Sequence, residues 1–309
     1  MSLLVVGSVA LDSIETPFGK AEHALGGSAT FFSAAASLFH PVQLVAVVGD
    51  DFPLHELAFL RERSVDFAGL DQRSGESFRW SGLYSFDLSS RETLETRLGV
   101  FADFRPVIPP AFREAKWLFL GNIDPQLQLD VLDQVRAPEL VVCDTMNYWI
   151  EGTRDALLRL LGRVDVLMVN DSELRELSGD HNLRRASRWV QDRGPEMVVV
   201  KKGEHGAMLF TRDFMFFAPG FPLEEVFDPT GAGDAFAGGF LGYLARAGAV
   251  THDHLRLAMI HGSAMGSFAV ERFGLERLVD LGPAEIDARV AEFRELTAFE
   301  QPVLFEPRT

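Results

Sequence analysis

The chain has 309 residues, 47% hydrophobic and 24% charged, the composition of a globular protein able to bury a substantial core. Its 45 acidic and 29 basic residues give a net charge of −16, which argues against a broad nucleic-acid or anionic-membrane surface. Cys143 is the only cysteine, so an intrachain disulfide and a cysteine metal cluster are excluded.

Only Lys20, Lys116, Lys201 and Lys202 are lysines, a bias that fits either a high-salt cytoplasm or skewed base composition. No apolar run reaches membrane-spanning length, and the first seven residues read as a strand rather than a signal peptide. The expectation is a cytoplasmic protein.

Leu3–Val6 is a short apolar strand ending at Gly7. Asp12 follows at or just beyond its C-terminal end, where open α/β sheets place ligand groups. Gly26-Gly27 opens a small-residue helix over residues 29–39, either as an ordinary turn or as a close backbone approach to a ligand. Residues 43–48 form the next strand, ending at Gly49-Asp50-Asp51, and a helix runs on to Arg63. From Phe78 to Phe86 the period becomes two, with Phe78, Trp80, Gly82, Tyr84 and Phe86 on one face. Residues 66–105, with 12–24, are therefore expected to form a small β-layer outside the main sheet. Its aromatic face suits internal packing, a ligand platform or a homodimer contact.

Strand–helix alternation resumes at Trp117 and continues through residues 140–143 and 164–169, the pattern of a parallel sheet covered on both faces. Asn170 and Glu173 sit where a helix starts, spaced as a capping box or as part of a metal site. A further strand ends at Lys202-Gly203-Glu204-His205-Gly206, and a hairpin over 207–217 follows. Helices near 234–247, 252–272 and 283–297 complete the chain; His252 and His254 read as capping or solvent-facing residues, not a zinc pair.

The most informative stretch is Asp228-Pro-Thr-Gly-Ala-Gly-Asp234, followed by Ala-Phe-Ala-Gly-Gly-Phe240. It reads as a strand end, a glycine turn and the first turn of a buried helix. Gly231 and Gly233 permit angles closed to other residues, so successive N–H groups can point into one concavity at a helix N-terminus. Asp234 sits at its mouth, where a carboxylate can take a proton while the amides hold a phosphoryl group. No strand is followed by Gly-x-Gly-x-x-Gly, and no Gly-x-x-x-x-Gly-Lys-Ser/Thr occurs, which disfavours a dinucleotide dehydrogenase and a P-loop kinase.

These motifs, in this order, resemble the ribokinase (PfkB) family of carbohydrate and nucleoside kinases. The resemblance implies one domain over 1–309: a doubly wound, mostly parallel α/β sheet flanked by helices, with the β-layer as a lid. It implies ATP-dependent transfer of the γ-phosphoryl group to a primary hydroxyl of a sugar or ribonucleoside. Asp234 would be the general base, and the amides of Gly231, Ala232 and Gly233 the anion hole. Asp12, Gly26, Gly27 and Phe31 would meet the acceptor, with Phe31 standing near where many relatives carry an asparagine. Lys202, Gly203, Gly206, Thr230, Gly233 and the 261–274 segment would bind the nucleotide. Asn170 and Glu173 would organise Mg²⁺ through water, and Asp228 would border a monovalent-cation region, often K⁺. The alternative is a sensing member of the same fold with weak or absent catalysis.

Overall fold

The computed structural model describes residues 2–299; the remainder of the 1–309 span, at both ends, lies outside the described residues. A nine-stranded sheet runs in the order Met215–Ala218, Ala207–Phe210, Met197–Lys201, Val166–Asn170, Leu140–Asp144, Trp117–Leu120, Leu3–Val6, Val42–Gly49 and Val65–Arg73. Every pairing is parallel except the two made by the hairpin over 207–218.

Side chains alternate between two apolar layers. Leu3 and Val5 join one, packed with the Ser28–Ala36, Ala232–Ala247 and His252–Ala269 helices. Leu4 and Val6 join the other, under Pro125–Leu132, Arg154–Leu161, Asp171–Ser178 and Leu183–Gln191. Burial of both faces explains why these strands read as unbroken apolar runs.

A second sheet of four strands has the order Gly19–Gly26, Ala10–Thr16, Phe78–Tyr84, Arg91–Arg97. It differs from expectation at residues 65–73. Residues 65–73 belong to the edge of the main sheet, pairing parallel with Val42–Gly49, because Gly69 lets the two backbones close up: a Cβ there would lie 2.5 Å from a Val45 methyl. Asp12 lies inside the second sheet, in its Ala10–Thr16 strand. The Leu183–Gln191 helix, with only Ala186, Ser187, Val190 and Gln191 buried, was not anticipated from the sequence.

Leu3–Val6 is the switch point of the main sheet, since the chain adds two strands on one side of it before returning to add Trp117–Leu120 on the other. In such sheets the crevice at the strand ends receives ligands. Here the Ser28–Ala36 helix starts over it. Added Cβ atoms at the strand-end glycines Gly7 and Gly121 would come within 2.6 and 2.7 Å of Ser28 Oγ. Ser8 and Ser28 exchange hydrogen bonds, each backbone N–H donating to the other's hydroxyl at 3.2 and 3.0 Å, which fixes the helix entry.

Candidate active site

Asp228 fixes the glycine turn in place. One carboxylate oxygen accepts the Thr230 N–H at 2.8 Å and the other accepts the Gly274 N–H at 2.9 Å. The first bond is an Asx turn; the second ties the turn to the loop beyond the His252–Ala269 helix. Both oxygens being used this way, Asp228 acts here as a buried clamp. Ala232 N–H then donates to Pro229 O at 3.3 Å across Thr230-Gly231, with Gly231 at φ 72°. A tight turn of this kind needs a positive φ at its third residue, which glycine supplies without strain.

The Ala232–Ala247 helix starts immediately after the turn. Among the described residues the amides of Gly231, Gly233 and Asp234 carry no hydrogen bond, whereas that of Ala232 is spent on Pro229. Of the three amides expected to form an anion hole, those of Gly231 and Gly233 are thus without a partner among the described residues and that of Ala232 is taken, while Asp234's own amide is also without one. Free N–H groups and the helix dipole together favour an anion at this end.

Phe31 is not where the sequence reading placed it. Its ring is 1% exposed and lies against Gly231, where a Cβ would come within 2.3 Å of it. The cause is close helix packing: at Gly238 a Cβ would lie 2.5 Å from the Phe32 carbonyl, so the Ser28–Ala36 helix presses onto the Ala232–Ala247 helix. Phe31 supports the turn from beneath rather than facing an acceptor. Phe32 stacks on Phe119 with ring centroids 4.3 Å apart.

Asp234 is partly buried. Burial, reinforced by the Asp144 carboxylate, pushes its pKa up to about 7 against the pull of Lys201 and Arg91. Lys201, the last residue of its strand, reaches Asp144 Oδ2 with Nζ at 2.6 Å. A Cβ on Gly233 would lie 3.0 Å from that same Nζ, so the ammonium stands beside the helix N-terminus. Burial works against its charge, but Asp144, Glu173 and Asp234 outweigh it and hold the ammonium above its ordinary value. Lys202, the lysine singled out from the sequence, enters none of these contacts. Its N–H donates to Gly206 O at 2.8 Å and closes the Gly203–His205 turn, which Gly203 (φ 55°) and Gly206 (φ 89°) make possible.

Asn170 and Glu173 form a reciprocal capping box, each N–H donating at 2.8 Å to the other's side chain. Burial and the nearby Asp144 carboxylate push Glu173 up to about 7. Asp144, Glu173 and Asp234 thus surround one ammonium with an excess of negative charge. Among the described residues no group of three or more His, Cys, Asp or Glu side chains could cage a metal ion. Asn170, Glu173 and Asp144 supply oxygen donors of the kind a dication held largely by water and phosphate oxygens uses, the habit of Mg²⁺.

The second sheet covers this cluster. Asp12 is 5% exposed, and burial followed by the Asp228 carboxylate lifts it to about 7, with Gly27's amide and Arg91 opposing. Gly26 leaves room for it, since a Cβ there would fall 1.9 Å from Asp12 Oδ2. Gly27 takes φ 93° and lies so close to Ser8 O that a Cβ would be 2.5 Å away. Tyr84 and Thr230 join their hydroxyls at 3.0 Å, docking the sheet on the turn. Arg91 comes from the same sheet and acts electrostatically on Asp12, Asp234 and Glu173. Lys201, Asp144, Arg91 and Tyr84 were not identified from the sequence. The available signals were the polar ends of the strands at 144 and 201 and, for Tyr84, its place in the aromatic stripe.

Residues 2–280 match the sequence pattern described as pfkB family carbohydrate kinase. The chain is 31% identical over 252 residues to a cytidine kinase of Thermococcus kodakarensis, covering 80% of this chain and 89% of that one. Its fold is similar to that of a Methanocaldococcus jannaschii nucleoside kinase, with a TM-score of 0.75 and 20% identity over 94% of this chain and 99% of that one. It is also similar to a Burkholderia thailandensis nucleoside kinase solved with inosine, with a TM-score of 0.74 and 20% identity over 96% and 98% of the two chains.

Proposed function

The chain belongs to the pfkB family of carbohydrate kinases, and on that premise we propose that it transfers the γ-phosphoryl group of ATP to a primary hydroxyl of a sugar or ribonucleoside. One observation carries the reading: Asp234, raised to about 7, stands in the first turn of a helix whose free amides lie beside the Lys201 ammonium. A proton acceptor and an anion site then share one concavity, the two groups that attack by an alcohol on a phosphoryl centre requires.

In this mechanism Asp12 accepts hydrogen bonds from a pair of acceptor hydroxyls and orients the ring. Asp234 takes the proton of the attacking hydroxyl, an effect typically worth about 10²–10⁴-fold. The amides of Gly231, Gly233 and Asp234 receive charge developing on the transferred group, and Lys201 adds a fixed positive charge beside them. Gly203, Gly206, Thr230, Lys202 backbone groups and the 261–274 segment are assigned to the nucleotide. Mg²⁺, held through water by Glu173 with Asn170 and facing Asp144, would neutralise phosphate charge when bound. K⁺ beside Asp228 is an addition to this reading, tested by the salt dependence of turnover.

The test is ADP release with Mg²⁺ and ATP over a panel of pentoses, hexoses and nucleosides, with product phosphate located by NMR. Phosphorylation at a primary hydroxyl is expected. Ligand binding without turnover across the panel would instead support a sensing protein.

A further inference from the structure

Trp80 has no part in the reactions described above, yet it lies on the lid face that looks into the site. The register settles this. Asp12 pairs with Trp80 across parallel strands, and Tyr84 pairs with Arg91 across antiparallel ones. Side chains paired in this way share a face, and residues two apart on a strand also share it. Asp12 faces Asp228 and Asp234, and Tyr84 reaches Thr230, so Trp80, between them in sequence, faces inward too.

Two contacts hold the indole flat on the sheet. Gly82, next along that face, has no side chain; a Cβ there would lie 2.2 Å from the Trp80 six-membered ring. The indole N–H donates to Thr93 Oγ1 at 3.3 Å. The ring remains partly exposed, and the Arg91 guanidinium overhangs it at 5.4 Å from the centroid. Among the described residues Arg91 forms no ion pair, so it is free to yield that face or to stack in turn.

We propose that Trp80 is the stacking platform for the base of a nucleoside acceptor, with Arg91 closing over it. The inference rests on the kinase reading and narrows its acceptor. Neighbouring strands lie about 4.8 Å apart, so an acceptor whose diol is gripped by Asp12 has the Phe78–Tyr84 strand within reach of its adjacent substituent. In a ribonucleoside that substituent is the base, a flat ring matched to a flat indole. A free pentose held the same way leaves the indole wet.

The experiment compares kcat/KM for cytidine and for ribose in wild type, Trp80→Ala and Trp80→Phe, at saturating ATP. Loss of one base-stacking aromatic should lower the cytidine-to-ribose ratio roughly 5- to 150-fold in Trp80→Ala, while Trp80→Phe recovers most of it. A general loosening of the lid would depress both substrates together and leave the ratio fixed, which overturns the proposal. Turnover of ribose with no nucleoside accepted also overturns it while leaving the kinase reading intact. Should no acceptor turn over, the kinase reading fails and binding decides the platform. Cytidine should quench wild-type tryptophan fluorescence, and Trp80→Ala, which keeps Trp117, Trp149 and Trp189, should lose that quench. Absence of quenching in wild type contradicts the platform.

Discussion

Lys201 Nζ and Asp144 Oδ2 are 2.6 Å apart, a nearly buried ion pair formed by residues at the ends of two strands separated in the sheet by a third. The pair sets the electrostatics of the turn, because Lys201 lowers the pKa of Asp234 and Asp144 raises it. Lys201→Met should leave Asp144 buried without its cation. Breaking one partner of such a pair costs about 3–5 kcal/mol, so the midpoint of urea unfolding should fall clearly. The acid limb of kcat/KM should also move to higher pH, since Asp234 loses a positive neighbour. Lys201→Arg should restore most of the stability; an unmoved acid limb in Lys201→Met would show that Lys201 does not act on Asp234.

The acid limb itself is a second expectation. A general base must be ionised, and Asp234 is held up to about 7 by burial and Asp144. The kcat/KM for acceptor, which reports the free enzyme, should therefore rise with pH with its midpoint near 7 rather than near 4. Stability should move the other way. A carboxyl whose folded pKa lies above its unfolded value binds more protons when folded, so stability falls as pH rises from about 4 to about 7 and then flattens. Asp234→Asn removes that loss for one group and should raise Tm at pH 8 by a few degrees, corresponding to on the order of 1–2 kcal/mol. Equal Tm values at pH 8 and an acid limb near 4 would both contradict the assignment.

Gly231 is held in the left-handed region with Phe31 under it. Gly231→Ala adds backbone strain of about 1 kcal/mol and a Cβ pressed into the ring, with overpacking typically costing about 1–3 kcal/mol. The variant should lose roughly 2–4 kcal/mol in chemical denaturation. A companion change, Phe31→Leu, should recover part of the loss in Gly231→Ala; additive effects of the two would mean that the contact is not the cause.

The glycine turn, the Gly26-Gly27 approach and the strands of the main sheet were legible in the sequence because local rules govern them. A proline-bounded turn, paired glycines and doubly buried apolar runs each permit few conformations. The departures come from relations between distant segments. Lys201 and Lys202 differ by one position at a strand end, and only the register of the sheet says which ammonium enters the site. Phe31 looked like acceptor surface because the pressing together of two glycine- and alanine-rich helices is invisible in either alone. Val65–Arg73 alternates as any half-exposed strand does, and its place on the main sheet depends on Gly69 closing against Val45. Arg91 carries no local signal of function, and Trp80 only its place in an aromatic stripe; which way that stripe faces comes from a sheet folded over the site.

Asp12 is expected to act on the acceptor alone. Asp12→Ala should raise the acceptor KM by about 10-fold or more, the loss of two hydrogen bonds to a charged group, and leave the KM for ATP within about twofold. A change confined to the ATP KM would place Asp12 on the wrong ligand.

In this mechanism Asp234 takes the proton of the attacking hydroxyl. Single-turnover and steady-state phosphorylation by Asp234→Asn, with acceptor affinity measured separately by calorimetry, test it most directly. The expected result is kcat lowered by about 10²–10⁴-fold with acceptor binding close to wild type. Turnover near the wild-type rate in a folded Asp234→Asn protein would contradict it.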